Sequence, residues 1–84
     1  MLTTSINVFA YDKETKRRLN THAVYSRSFP GAVPVPNKGD RFGHLSWTFP
    51  VFDVLYTYLN DTVRVDVSIW VETDEQRRAL LDVR

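Results

Sequence analysis

The sequence predicts a single mainly β (α+β) domain, an antiparallel meander or small open barrel finished by a short C-terminal helix. Three observations carry that prediction. Residues 51–59 and 62–70 fold onto each other about Asn60-Asp61 so that four apolar pairs share one face. Ile6, Val8 and Ala10 alternate with Asn7, Phe9 and Tyr11, the two-residue period of a strand. Thr73-Asp74-Glu75-Gln76 has the spacing of a capping box, which marks a helix start.

Taken in order, the first strand runs through Ile6–Tyr11 and ends at Asp12-Lys13-Glu14-Thr15, a polar cluster with Asp in the turn-initiating position. Leu19, Thr21, Ala23 and Tyr25 then alternate with Asn20, His22 and Val24, the pattern of a returning strand. A helix over Lys13–Ala23 is the rival reading, but that stretch has no apolar stripe. Between Ser28 and Asp40, Pro30, Pro34 and Pro36 remove backbone donors and push their predecessors into extended geometry, so an irregular loop is expected. Asn37-Lys38-Gly39-Asp40 closes that loop as a turn, and a short strand through Arg41, Phe42 and Leu45 follows.

In the main hairpin, Tyr58 falls opposite Val63, Tyr56 opposite Val65, Val54 opposite Val67 and Phe52 opposite Ile69. The other face pairs Thr57 with Arg64, Leu55 with Asp66, Asp53 with Ser68 and Val51 with Trp70. A slip of one residue would send every side chain to the wrong face, so the agreement selects this register. Beyond it, Ala79, Leu80 and Val83 form the helix face that packs on the sheet, Asp74 and Glu75 suit the first turn, and Arg84 suits the last.

Eighty-four residues allow one domain, which buries only about 60–65% of its unfolded surface, so the core is thin and an enclosed cleft is hard to build. The chain has no cysteine, which excludes disulfides, thiolate metal sites and a thiol nucleophile. Met1-Leu2-Thr3-Thr4-Ser5 has neither a basic region nor an apolar core, so no signal peptide is expected. No apolar run nears the ~20 residues that span a bilayer. No membrane association is expected, and the expected location is cytoplasmic. Charge is uneven: residues 1–42 hold seven bases against three acids, a net of +4, and residues 43–84 hold four against seven, a net of −3.

Catalytic and metal chemistry find little support. His22 and His44 have no companion at ligand spacing, so they read as surface imidazoles, and neither a metal nor a small-molecule cofactor is expected. Asp53 and Asp66 share a face of the hairpin, but Arg64 stands beside them as a counter-ion. Ser46 lies next to His44 without a third orienting group or an oxyanion motif. The chain is therefore read as non-enzymatic.

Two surfaces remain as candidates. Trp47, Phe49, Val51, Leu55 and Trp70 fall away from the expected core face and form the candidate protein-binding patch, the equal alternative being that another strand, the proline loop or the helix covers that face. Lys13, Lys16, Arg17 and Arg18 cluster at the first hairpin tip near Phe9, Tyr11 and Tyr25, a pattern that can grip phosphates and stack bases. A solvated basic turn explains the same cluster, and the sequence pI near 8.1 is modest for a nucleic-acid domain.

Val33-Pro34-Val35-Pro36-Asn37-Lys38-Gly39-Asp40-Arg41-Phe42, followed by Phe52-Asp53-Val54 and a valine-rich return strand, resembles short bacterial and phage-encoded SH3-like β proteins with a Val-Pro-x-x-Gly-Asp turn. The resemblance covers residues 33–71 and departs from the pattern in the Trp47-containing insert. It implies an SH3-like fold and a mobile-element origin, and no site residues. The expected function is an accessory or inhibitory module that binds a protein partner, a homodimer being one form. The alternative is a nucleic-acid-binding small β barrel using the 13–18 tip.

Overall fold

Alternating apolar residues place β1 (Thr3–Asp12) and β5 (Thr62–Val71) at the centre of a five-stranded sheet in the computed structural model, which describes residues 2–19, 22–44 and 46–81. The other strands are β2 (Tyr25–Pro30), β3 (Arg41–His44) and β4 (Trp47–Leu59), and one helix, α1 (Asp74–Leu81), follows β5. The sheet order is β2-β1-β5-β4-β3. The mainly β class with a short C-terminal helix holds. The sheet is mixed, however: β1 and β5 are parallel, where a meander keeps every neighbour antiparallel. Parallel neighbours need a long crossover, and the chain between them supplies it by building β2, β3 and β4.

Ile6, Val8 and Ala10 stand beside Val65, Val67 and Ile69 across the parallel pair, and all six are buried. Five of the six are β-branched and suit a pleated surface covered on one side. The sheet curls into a half-barrel, and its two edge strands approach: Tyr25 of β2 lies edge-on to Phe42 and His44 of β3, at 5.7 and 6.1 Å. Val33 and Val35 of the proline loop, Leu19, Val24 and Leu80 of α1 pack against the core from the concave side. Among the described residues no helix or second sheet lies over the convex side. Among the described residues ten buried apolar side chains make a small core, and each one larger than Ala10 contributes about 1.5–3 kcal/mol by burial.

The register from Asp53 to Leu59 against β5 is the predicted one, with Asn60 taking the positive φ of the turn at 48°. It breaks at Phe52. A β-bulge between Val51 and Asp53 moves Val51 opposite Ile69, into the core, and turns Phe52 to the convex face. The first return strand also differs from expectation. It occupies Tyr25–Pro30 rather than residues 19–25, of which Asn20 and Thr21 lie outside the described residues. Before it, the chain meets β1 through a Tyr11–Arg18 bridge, the Asp12 amide on the Arg17 carbonyl, the Lys16 amide on the Asp12 carbonyl, and the Leu19 and Val24 amides on the Ala10 and Val8 carbonyls. Pro30 closes β2 on the sheet edge, where a missing donor is tolerated.

At Asn37–Asp40 the expected turn forms, with Gly39 at φ +97° and the Asp40 amide on the Asn37 carbonyl. Arg41 and Phe42 are in β3 as expected, and Leu45 lies outside the described residues. The Thr73 hydroxyl accepts from the Gln76 amide at 3.2 Å, as a cap should. The Gln76 side chain reaches one residue further back than a capping box requires, accepting from the Glu72 amide at 2.9 Å. Leu80 is buried and Ala79 half-buried; Val83 and Arg84 lie outside the described residues.

Candidate interaction surfaces

The bulge divides the residues expected to form one protein-binding patch. Phe49 and Val51 are 0% and 3% exposed and belong to the core, a correction that follows from the half-register shift at Phe52. Trp47 shares their face, half-buried beside the core and paired across the β3–β4 hairpin with His44. Trp70 is half-buried on the opposite, convex face, stacked on Phe52 with ring centres 3.8 Å apart. Leu55 lies on the same convex face and is exposed. The five residues therefore do not converge on one surface.

The convex face carries an aromatic row. Tyr11 meets Phe52 edge-on at 5.4 Å, and Phe52 continues into Trp70. Arg18 folds back over Phe9, its guanidinium 4.6 Å from the ring centre, and donates to the Tyr11 hydroxyl at 3.3 Å. Asp53, Arg64 and Asp66 line the adjoining groove, where Arg64 pairs with Asp66 at 3.1 Å, the counter-ion arrangement expected for that face.

Of the basic tip, Lys13 pairs with Glu72 at 3.6 Å and Arg18 lies on the aromatic row. Lys16, at φ 60°, and Arg17 are exposed. Beneath the tip, the Asp12 carboxylate accepts from the Glu14 amide at 2.9 Å and from Arg77 of α1 at 2.7 Å, tying the first turn to the helix. The Glu14 amide is the largest influence holding the Asp12 carboxyl below its ordinary value of 3.8, partly opposed by burial and reinforced by the Arg77 charge. Arg77 is pushed up, chiefly by its hydrogen bond to Asp74.

His44 packs in the Tyr25–Phe42 cluster and His22 is exposed. Among the described residues no three His, Asp or Glu side chains converge as metal ligands. No helix among them is long and apolar enough to cross a membrane.

The largest exposed apolar side chains lie elsewhere, at the far end of β4: Leu55 at 59%, Tyr56 at 43%, Tyr58 at 76% and Leu59 at 53%. Tyr56 and Tyr58 face the concave side, where they border an apolar groove shared with Leu2, Val33, Val35 and Val63. The backbone here is also open. β3 covers the outer edge of β4 only over Trp47–Pro50, and Gly39 and Asp40 extend that cover to Val51. From Phe52 to Leu59 no backbone hydrogen bond outside the β5 ladder is made among the described residues. The hairpin register reads Tyr56 and Tyr58 as core, because they share the face of Val54. Their exposure comes from the sheet running past the end of its cover, and the Leu-Tyr-Thr-Tyr-Leu run before the turn is the sequence signal that marks it.

Comparison with protein-family profiles, with curated proteins and with solved structures finds no match for this chain.

Proposed function

We propose that this chain is a non-enzymatic, cytoplasmic interaction module that binds a protein partner through the open edge and exposed apolar end of β4. The observation that carries this reading is the coincidence, over Leu55–Leu59, of an unpaired strand edge with four exposed large apolar side chains. An edge of that kind pairs readily with an added strand, and proteins that do not use such an edge normally guard it with charge, proline or brevity. The other two edges here carry those guards. β2 has Arg27 at its middle and ends in Pro30, and β3 is four residues long and begins with Arg41.

Nucleic-acid binding by the 13–18 tip has weaker support. Lys13 is engaged by Glu72, Arg18 covers the ring of Phe9 that a base would stack on, and Asp53 and Asp66 stand in the adjoining groove. A cytoplasmic accessory role and kinship with phage-encoded SH3-like proteins fit a small β module of this kind and remain part of the proposal.

The test is affinity capture from host extract with wild type, Tyr58→Lys and Lys16→Glu/Arg17→Glu in parallel, read by mass spectrometry. A protein retained by wild type and the charge-reversed tip but lost by Tyr58→Lys supports the reading. Retention of nucleic acid in a salt-sensitive way, lost only with the tip variant, would replace it with the alternative.

A further inference from the structure

We infer that the partner strand is β4 of a second copy, joined antiparallel about Thr57 to make one continuous sheet across two chains. This rests on the reading of β4 as the binding edge and names what pairs with it. Residues 55–59 read Leu-Tyr-Thr-Tyr-Leu, a palindrome. An antiparallel match centred on Thr57 places Leu55 opposite Leu59, Tyr56 opposite Tyr58, and Thr57 opposite its own copy. Each is a favourable cross-strand pair of like side chains, and none opposes charges.

Backbone geometry agrees with that centre. The two-residue Asn60-Asp61 turn makes Leu59 and Thr62 a hydrogen-bonded pair, so alternation directs the amides and carbonyls of Leu55 and Thr57 at β5. Those of Val54, Tyr56 and Tyr58 point to the open edge. Centring on Thr57 therefore brings Tyr56 and Tyr58 together as hydrogen-bonded pairs across the new seam, with Thr57 as the non-hydrogen-bonded pair between them. In this register β3 of each copy lies beyond the Asn60-Asp61 turn of the other, so neither blocks the seam. The pairing is isologous and consumes the open edge on both chains, which stops growth at two.

The area sets the strength. The four exposed side chains present on the order of 500 Å² per chain, about 1,000 Å² for two, at the lower bound of a specific interface. The match also brings Asp53 near Asp61 of the second copy at each end of the seam. Association is thus weak and concentration-dependent, and Asp53→Asn tightens it.

Because the native chain has no cysteine, single-cysteine variants report the register directly. Opposed residues of a non-hydrogen-bonded antiparallel pair have Cα atoms about 4.5 Å apart, within disulfide range. Leu55 lies four residues out of register with its own copy, about 14 Å away. Under mild oxidation Thr57→Cys is expected to form a covalent dimer and Leu55→Cys is not. Sedimentation of the unmodified chain across a concentration series is expected to show monomer passing to dimer, and Tyr58→Lys to weaken that association by about tenfold or more. Cross-linking by Leu55→Cys but not Thr57→Cys, or by both equally, overturns the register. A wild-type chain that stays monomeric with no cross-link overturns self-pairing. In that case a foreign protein still captured by wild type and lost by Tyr58→Lys leaves the interaction-module reading standing, and its absence removes both.

Discussion

The two halves of β4 have similar composition and opposite fates. Trp47–Val51 is flanked by β3, by Gly39 and Asp40 and by α1, and two of its side chains are wholly buried. Asp53–Leu59 makes its backbone pairing with β5 alone among the described residues, with the proline loop bordering only one side of its concave face, and four of its large side chains stand in solvent. Apolar content does not decide burial here. The supply of covering elements does, and an 84-residue chain has enough of them for one end of the half-barrel only.

Substitutions at the two ends of β4 should therefore differ widely in cost. Phe49→Ala is expected to cost about 3–5 kcal/mol in denaturant melts, because it empties the middle of the core. A loss below about 1 kcal/mol would mean that Phe49 is not the core residue its burial makes it. Thr73→Ala is expected to cost about 1 kcal/mol through loss of the helix cap that holds Leu80 in place. Smaller again is the effect of Asp12→Asn, which is present near neutral pH and fades in acid. The folded-state carboxyl titrates below its ordinary value, so its stabilising contribution is present above that value and lost as pH falls through the lowered one. Wild type should lose stability on acidification below about pH 4 more steeply than the variant, and parallel acid limbs would show that the tie to Glu14 and Arg77 is not made in solution. Least of all, Tyr58→Ser should change the stability of dilute protein by no more than about 0.5 kcal/mol. A cost approaching that of Phe49→Ala would erase the distinction between the two halves.

Much of the architecture was legible in the sequence where the signal is local. The Asp53–Leu59 register followed from three opposed apolar pairs, the cap from Thr73 and Gln76, and the turn from Asn37–Asp40. What escaped depends on distant neighbours. Val51 and Phe52 are both apolar, so nothing in the alternation marks the bulge; it forms where Phe52 can stack on Trp70 and meet Tyr11, residues that lie far from it in sequence. The parallel pairing of β1 with β5 leaves no local trace, since each strand alternates alike whichever way its neighbour runs. The candidate site was legible in part. Leu55 is exposed as expected, whereas Phe49 and Val51 followed the bulge inward and Tyr56 and Tyr58 outran the cover of a core face they share.

On the proposed pairing, the β4 edge from Phe52 to Leu59 is open in the single chain and closes against a second copy. Amide hydrogen exchange of Tyr56 and Tyr58, compared with Leu55 and Thr57 over a range of protein concentrations, tests it most directly. In dilute protein the Tyr56 and Tyr58 amides should exchange rapidly while those of Leu55 and Thr57 are held by β5, and at high concentration all four should be protected. Protection of Tyr56 and Tyr58 that is already complete in dilute monomer, or that never changes with concentration, would rule out pairing through this edge.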